Sequence, residues 1–274
     1  MFSPTIVSVG LATVVILSAL AFIALKIRAR FRRFDRQLDA LATRIDERAL
    51  ETQNAVALQQ LGFRVPVFYG DWSIDAFLGR FLVQHLIEAQ PRSILELGSG
   101  SSTVLIARCL RILGRSDCLH IAVDHESRFL EITRRNLQLN GLADGVDLWT
   151  CPLRSISGTA QIWYGGLAEK LRGKTIDLLI VDGPPGALQA ESRFPALPML
   201  LPFLSEACVV VLDDASRPDE RTIARRWAEA NPQFSLEFLR EGHGLAVLRR
   251  RPAPGTSAAQ ARGAEDGLLQ ERSA

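Results

Sequence analysis

The stretch SILELGSGSST, residues 93–103, joins an apolar run to a glycine turn and then to a cluster of serines and a threonine. The apolar run predicts a strand at Ser93–Leu97, and Gly98 and Gly100 let the backbone turn tightly and approach a ligand closely. Several kinds of nucleotide-binding protein carry such a turn, and Thr103 stands where the dinucleotide fingerprint has its third glycine. The pattern indicates a nucleotide-type site or, as the alternative, a tight turn without a ligand.

Short apolar runs alternate with amphipathic stretches along the chain after this turn. The alternation predicts a Rossmann-like α/β fold, with a mainly parallel sheet and helices on both faces. In open sheets of this kind, ligands bind beyond the carboxyl ends of the strands, so the residues that follow each strand are the functional candidates. The predicted strands are Ser93–Leu97, Leu119–Val123, Val146–Thr150, Ile176–Val181, Cys208–Leu212 and Leu245–Arg249.

An acidic residue follows the second predicted strand, in the sequence IAVDHE. Asp124 lies one βαβ unit after the glycine turn, where a carboxylate can accept hydrogen bonds from both ribose hydroxyls of an adenosine. The same spacing also suits a dinucleotide. A solvated N-cap of the following helix is the alternative without a ligand.

Further acids follow the fourth and fifth of these strands. Asp182 directly follows the apolar part of IDLLIVDGPPG, and Asp213 and Asp214 directly follow the apolar part of ACVVVLDDASRPDE. Carboxylates at adjacent strand ends repel each other unless a cation or a proton is shared among them. The pattern therefore predicts a shared cation or proton among these acids, and capping of the next helix is the alternative.

The four motifs in this order, from Ile94 to Glu220, resemble the class I S-adenosylmethionine-dependent methyltransferases. They are most similar to a compact bacterial group with a WS segment before the first strand and a DGPPG motif at the fourth. The resemblance implies a seven-stranded sheet whose last strand is antiparallel. Phe234–Leu239 and Leu245–Arg249 are then expected to form the final hairpin.

The resemblance also implies roles for individual residues. The glycine-turn motif is expected to pack against the methionine part of S-adenosylmethionine, Asp124 to bind the ribose, Leu153 to lie near the adenine, and Trp72 to close over the cofactor. A buried tryptophan that packs on the next helix is the alternative for Trp72. The implied cofactor-binding residues are Glu96, Gly98, Gly100, Ser102, Asp124, Trp72 and Leu153.

Metal-dependent O-methyltransferases of this class hold a Mg²⁺-type ion with an Asp after the fourth strand and an Asp-Asn pair after the fifth. Asp182, Asp213 and Asp214 resemble that set, but Asp stands here in place of Asn, so the resemblance leaves open whether a divalent cation is bound. Asp182 and Asp213 are the implied catalytic residues, either through an ion that lowers the pKa of the acceptor or as general bases. The expected activity is O-methylation of a small-molecule, sugar or lipid-linked acceptor.

Two other function classes share part of the pattern. An NAD-dependent oxidoreductase has the same glycine turn and the acid after the second strand, but it does not need acids at the fourth and fifth strand ends. A non-catalytic membrane scaffold could keep a methyltransferase-like fold for binding only.

Further candidates to line the acceptor pocket are Arg193, Arg217, Trp163 and Tyr164. Surface ion pairs are the alternative for the two arginines, and core packing is the alternative for the two aromatic residues.

The N-terminus reads PTIVSVGLATVVILSALAFIAL from Pro4 to Leu25, without a charged residue. This length and character predict a transmembrane helix. No basic residue precedes it, whereas six follow within Lys26–Arg36, so the sequence favours an uncleaved anchor over a cleaved signal peptide. The positive-inside rule predicts a single-pass protein of the cell inner membrane with a cytoplasmic catalytic domain.

The predicted organisation has four segments: residues 1–33 as anchor and basic juxtamembrane segment, 34–61 as a stalk helix, 62–251 as the catalytic domain and 252–274 as a disordered tail. In the stalk, Leu38, Leu41, Ile45 and Leu50 recur at roughly helical spacing, which favours docking on the domain or pairing with a second copy in a homodimer.

The overall charge argues against a nucleic-acid partner. The chain has 32 Lys and Arg against 30 Asp and Glu, a net charge of +2, which creates no strong attractive field for phosphates. The four cysteines lack the spacing of a zinc site or redox pair and are expected to be reduced packing residues.

Overall fold

A computed structural model describes the backbone of residues 4–70 and 73–251, and side chains at 17, 20–23, 25–70 and 73–251. The chain divides into two compact units between Leu50 and Glu51. The helices are α1 Pro4–Gln59, α2 Ala76–Ala89, α3 Ser101–Ile112, α4 Ser127–Asn140, α5 Leu167–Lys170, α6 Ala196–Leu200 and α7 Pro218–Ala230. The strands are β1 Ser93–Leu97, β2 Leu119–Asp124, β3 Asp147–Thr150, β4 Leu153–Ser155, β5 Ile162–Tyr164, β6 Ile176–Val181, β7 Leu204–Leu212, β8 Phe234–Leu239 and β9 Leu245–Arg250.

Seven strands form one sheet in the order β3-β2-β1-β6-β7-β9-β8. The first five are parallel, and β9 runs antiparallel to both β7 and β8. The predicted Rossmann-like sheet and its antiparallel end are therefore confirmed. The chain winds outward from β1 through β2 and β3, then returns and winds outward from β6 in the other direction. Where the winding direction changes, between β1 and β6, the loops diverge and leave a crevice at the carboxyl ends of the strands.

Both faces of the sheet are covered by helices, as the sequence predicts. On one face Ile94 of β1 and Leu178 of β6 pack with residues of α2 and α3. On the other face Leu95 and Leu179 pack with α6 and α7, including the fully buried Trp227. Strands buried on both faces read as continuous apolar runs, which is why β1 and β6 stand out in the sequence.

A short antiparallel ribbon, β4 with β5, lies outside the main sheet and was not predicted. Its strands have three residues each, which is too short to display a two-residue period. The ribbon places Tyr164 opposite Leu153.

The end of α1 belongs to the catalytic unit, so the predicted boundary at residue 62 falls too late. Asn54 and Leu58 are buried, and Leu58 belongs to the core on the α2 face. The carboxylate of Glu51 accepts hydrogen bonds from the backbone N–H groups of Ala76 and Phe77, which begin α2. These contacts move the start of the domain to about Glu51.

Within the part of the chain that the structure describes, none of the helices combines the length and apolar character that a bilayer crossing requires. The predicted span Pro4–Leu25 falls mostly on positions whose side chains lie outside that part. The predicted tail, 252–274, and Trp72 also lie outside the described residues.

Candidate active site

A cavity of about 1070 Å³ lies at the carboxyl ends of β1, β2, β6 and β7, and we call it the strand-end cavity. The turns after these four strands supply much of its lining, and the start of α4 and the start of α7 close its sides. The residues of these turns that line it include Gly98, Ser99, Asp124, His125, Asp182, Gly183, Asp213 and Asp214. This is the place that the sheet topology marks for a ligand.

The turn after β1 brings its backbone close to the turn after β6. Gly98 has a φ of +103°, and its N–H donates to the carbonyl of Val123 at 2.8 Å. A Cβ at this position would lie 3.3 Å from the backbone carbonyl carbon of Asp182. Both the positive φ and the close approach require glycine, which leaves the backbone of the turn open to the cavity.

Asp124 ends β2 with its carboxylate at the cavity wall, and its side chain is 8% exposed. Oδ1 accepts a hydrogen bond of 3.1 Å from the N–H of Glu126. Oδ2 has only long contacts, 3.4 Å to the N–H and 3.3 Å to the hydroxyl of Ser99. An oxygen held this loosely can accept stronger hydrogen bonds from a ligand hydroxyl.

Three carboxylates lie together at the ends of β6 and β7 and form an acidic wall of the cavity. Asp182, Asp213 and Asp214 each offer an oxygen, and these atoms lie within 4.8 Å of one another. The buried guanidinium of Arg193 joins them: Nη2 donates to Asp182 Oδ1 at 3.1 Å and to Asp214 Oδ2 at 3.0 Å. Its Nη1 donates to the backbone carbonyl of Asp213 at 3.0 Å. The acidic wall is thus held by an internal cation.

Comparison with known proteins identifies this architecture. Residues 95–215, from β1 to the turn after β7, match a family model described as a methyltransferase domain. This part of the chain is thus similar to a methyltransferase domain. The resemblance drawn from the sequence motifs is therefore confirmed.

Curated relatives match the methyltransferase domain at low identity. A ribosomal protein L11 methyltransferase of Pelobacter propionicus is 26% identical over 176 residues, which are 63% of this chain and 48% of that protein. A second protein of the same description, from Geobacter sp. strain M21, is 35% identical over 82 residues, 30% of this chain and 26% of that protein. The chain thus spans about half the length of the first of these relatives and about a quarter of the second.

Solved structures share the fold. An O-methyltransferase of Bacillus cereus in complex with SAH matches with a TM-score of 0.50 at 18% identity and covers 72% of this chain and 91% of that one. The O-methyltransferase TomG of Streptomyces achromogenes, involved in tomaymycin synthesis and in complex with SAM, matches with a TM-score of 0.51 at 19% identity and covers 73% and 88%. At these identities the likeness establishes the common fold.

The methyltransferase domain gathers five of the sequence-derived site residues at the strand-end cavity, namely Gly98, Asp124, Asp182, Asp213 and Asp214. Gly100 lies outside the lining, although a Cβ there would meet open space. Ser102 is buried within α3. Leu153 packs against the core and lies outside the lining, whereas Tyr164, its partner in the ribbon, lines the cavity.

Glu96 is also outside the cavity lining. Successive residues of β1 point to opposite faces, and Glu96 shares its face with Ile94, under α2 and α3. There Glu96 Oε1 lies 2.6 Å from Nε2 of His120 on β2, and both side chains are buried. Glu96 therefore supports the sheet beneath the glycine turn.

Apolar lining residues at the start of α4 were missed in the sequence. Phe129 and Ile132 line the cavity and keep 39% and 57% exposure. They lie three residues apart, hence on one face of α4, beside the charged Arg128 and Glu131. Two large apolar side chains left uncovered next to Asp124 are a signal that could have located an apolar wall of the cavity.

Burial controls the protonation of the acidic wall. It raises the pKa of Asp182 to about 6, with Arg193 acting against the rise and Asp214 adding to it, while its side chain keeps 30% exposure. Burial and then the carboxylates of Asp182 and Asp214 raise the pKa of Asp213 well above its usual value. For Arg193, burial lowers the pKa, but Asp182 and Asp214 raise it by more, so the guanidinium stays charged.

Proposed function

We propose that this chain is an S-adenosylmethionine-dependent methyltransferase that transfers a methyl group to a hydroxyl oxygen. The observation that carries the proposal is a single cavity that joins a glycine turn and a ribose-type acid on one wall to carboxylates of raised pKa on the other. The family of residues 95–215 and the shared O-methyltransferase fold support it.

The residues of the first wall fit the cofactor. Asp124 has a loosely bound oxygen for the ribose hydroxyls, the open backbone at Gly98 and Ser99 suits the methionine part, and Phe129 with Ile132 offers an apolar surface for the adenine. When bound, the cofactor supplies a methyl group on a sulfonium, and the carbon–sulfur bond breaks with its electron pair left on sulfur. The walls align the acceptor with the methyl group and exclude water.

The residues of the second wall handle the proton of the acceptor. Asp213 Oδ1 accepts a hydrogen bond of 2.7 Å from the N–H of Asp214, which fixes the carboxyl group in the cavity. A raised pKa makes Asp213 and Asp182 better bases than an ordinary aspartate. In this proposal Asp213 takes the hydroxyl proton while the oxygen–methyl bond forms, and Asp182 shares that role. A divalent cation is left out because Arg193 already binds the carboxylates that would hold it.

We further propose an inner-membrane anchor at Pro4–Leu25, with the catalytic domain cytoplasmic. The support is an uncharged apolar stretch followed by six basic residues, which disfavour translocation. An anchored enzyme meets acceptors in or near the bilayer, so a lipid-linked or sugar acceptor with a free hydroxyl is the class we propose, with a small molecule as the alternative.

Calorimetric titration of the full chain in detergent with S-adenosylmethionine, SAH and NAD⁺ tests the cofactor. We expect saturable binding of the first two, lost in Asp124→Asn and retained in Asp144→Asn, which changes an exposed acid outside the cavity lining. Binding of NAD⁺ alone would select an oxidoreductase, and binding of none of the three would select a non-catalytic scaffold.

Incubation with radiolabelled S-adenosylmethionine and membrane extract tests the acceptor. We expect label in the lipid or glycolipid fraction, whereas label only in the aqueous small-molecule fraction would contradict the lipid-linked class. Carbonate washing and protease treatment of inverted inner-membrane vesicles test the anchor. We expect the protein to resist carbonate and its catalytic domain to be digested, and a protected domain would reverse the orientation.

A further inference from the structure

In the metal-dependent O-methyltransferases that this sequence resembles, a divalent cation lies among the acids that follow the fourth and fifth strands. Here the guanidinium of Arg193 lies among the acids at those strand ends. Its side chain is 4% exposed and contacts all three acidic residues. A second arginine, Arg217, brings Nη1 to 2.8 Å from the same Oδ2 of Asp214, from an exposed position. Asp214 Oδ2 thus already forms ion pairs with two guanidinium groups.

A divalent cation fits this set poorly. Mg²⁺ binds oxygens at about 2.0–2.1 Å in near-octahedral geometry and keeps several waters. Here the guanidinium lies 3.1 and 3.0 Å from one oxygen each of Asp182 and Asp214, two of the three carboxylates that such an ion would use, so an ion there would face a buried like charge at short range. The three carboxylates also already face two arginine charges, which leaves about one negative charge for an ion to neutralise.

We propose that the guanidinium of Arg193 takes the place of the divalent cation in this site, so that methyl transfer proceeds without a metal ion. Arg193 is then a positioning residue: it holds Asp182 and the backbone of Asp213 at a fixed separation and compensates their charge. The effect of Arg193 on catalysis rests on the proposed methyl transfer, whereas its effect on the binding of a metal ion does not.

Titration of the full chain with Mn²⁺, followed by the electron paramagnetic resonance signal of the free ion, tests this directly. We expect no saturable site with a Kd below about 1 mM in the unaltered chain, with or without SAH. We expect Arg193→Met to acquire such a site at the uncompensated carboxylates, and Arg217→Met, the exposed partner of the same oxygen, to change little.

Two results overturn the inference: a tight stoichiometric Mn²⁺ site in the unaltered chain that Asp182→Asn removes, or methylation that stops in excess EDTA and returns with Mg²⁺. If Arg193→Met does not fold, the Mn²⁺ titration and the EDTA experiment on the unaltered chain still decide whether the site binds a metal ion. Failure of the proposed function has a different signature, namely absence of S-adenosylmethionine binding in every sample.

An independent observation concerns α1. Its apolar side chains Ile27, Phe31, Phe34, Leu38, Leu41 and Ile45 follow each other in alternating steps of four and three residues. Each of these side chains is between 48% and 64% exposed. Steps of four and three place all six on one stripe of a helix, which is the seam of a coiled coil. The stripe is longer than the four leucine and isoleucine positions noted in the sequence.

The charges beside the stripe fit a second copy in parallel alignment. Arg30 directly precedes Phe31, and Asp35 directly follows Phe34, five residues after Arg30. In a parallel coiled coil these flanking positions of the two helices face each other, so Arg30 of one copy meets Asp35 of the other, twice per dimer. Membrane anchoring at the same end of both chains requires the same parallel alignment.

We infer that residues 27–45 form a parallel two-stranded coiled coil with a second copy of this chain. The test is disulfide formation by single-cysteine variants of the full chain in native membranes, where the four native cysteines are buried and contribute little background. Phe31→Cys and Leu38→Cys on the stripe should both link to themselves, because identical positions meet only in parallel register. Arg36→Cys, on the opposite face, is the matched control.

Equal linking of Arg36→Cys and Leu38→Cys, or linking at only one of the two stripe positions, overturns the inference. As a second measurement, Leu38→Asp combined with Leu41→Asp should convert the detergent-solubilised dimer to a monomer in sedimentation analysis. A chain that sediments as a monomer before any substitution contradicts the dimer outright.

Discussion

The two walls of the strand-end cavity are built by different means. The cofactor wall, formed by Gly98, Ser99 and Asp124, depends on backbone shape and a single carboxylate. The acidic wall, formed by Asp182, Asp213, Asp214 and Arg193, depends on charges that hold one another in place. We therefore expect the cofactor wall to be sensitive to substitutions that change its shape, and the acidic wall to be sensitive to substitutions that change its charge.

The sharpest way to separate the walls is to neutralise one acid. Asp213→Asn should lower kcat about 10²- to 10⁴-fold, the usual contribution of a general base, while SAH affinity stays the same. Folding should not suffer, because the change removes a buried like charge. Steady-state kinetics with calorimetry and denaturation check all three, with Asp144→Asn as the control. A loss of SAH affinity instead of kcat would erase the distinction between the walls.

The next largest effect should be on stability. Arg193→Met leaves buried carboxylates without their partner, and breaking a buried ion pair from one side costs about 3–5 kcal/mol of unfolding free energy. Arg217→Met removes an exposed partner of the same carboxylate, and such pairs contribute about 0–1 kcal/mol. Chemical denaturation of both variants in the full chain measures the contrast. Equal losses would mean that burial does not set the importance of these arginines.

A change of shape on the cofactor wall should act on binding. Gly98→Ala must adopt a φ of +103° next to the backbone of Asp182, a strain of about 1–3 kcal/mol. We expect weaker SAH binding and a higher KM for S-adenosylmethionine, with a smaller change of kcat. Gly158→Ala is matched, because it has a φ of +77°, open surroundings and no place in the cavity lining. If both variants bind SAH normally, the glycine turn does not form the cofactor wall.

The smallest expected effect is the pH dependence of stability that comes from His85, which lies outside both walls. It provides a baseline for pH experiments on the walls. Burial and then Arg249 lower the pKa of His85, with Glu88 opposing, so the folded state favours the neutral ring. Unfolded histidine titrates near 6.5, so the unfolding free energy should fall as the pH drops through that value and stay level above it. Denaturation at about pH 7.5 and 5.5 should show less pH dependence in His85→Gln than in the unaltered chain. An identical dependence would place the titrating group elsewhere.

The sheet and the position of Gly98 and Asp124 at the strand-end cavity could be predicted because short segments determine them. All seven strands of the sheet were expected, and only β7 differs notably, beginning at Leu204 instead of Cys208. The added residues Ser205 and Glu206 are polar and partly or fully exposed, so no apolar run announces them. Asp124 was found for the same local reason, since it directly follows a buried strand.

The arrangement of the acidic wall could not be predicted in full. The acids themselves follow strands, but their cation comes from a loop, 11 residues after Asp182 and 20 before Asp213. The sequence marks Arg193 as a candidate to line the acceptor pocket, with a surface ion pair as the alternative, but nothing in it predicts that Arg193 joins the three acids. Leu153 lies outside the cavity lining, whereas Tyr164, its partner in the ribbon, is part of it, and the ribbon that pairs them is too short to be read from the sequence.

The contact between Leu58 and Gly79 limits how far the chain can be truncated from its N-terminus. A Cβ on Gly79 would lie 2.7 Å from Leu58 Cδ1, so α2 and the end of α1 pack without a gap, and Glu51 holds the first N–H groups of α2. A fragment that starts at residue 62 would expose the surface of α2 that packs against the end of α1 and leave those N–H groups unsatisfied. A soluble version for crystallisation should therefore keep the last three helical turns of α1 and begin ahead of Glu51.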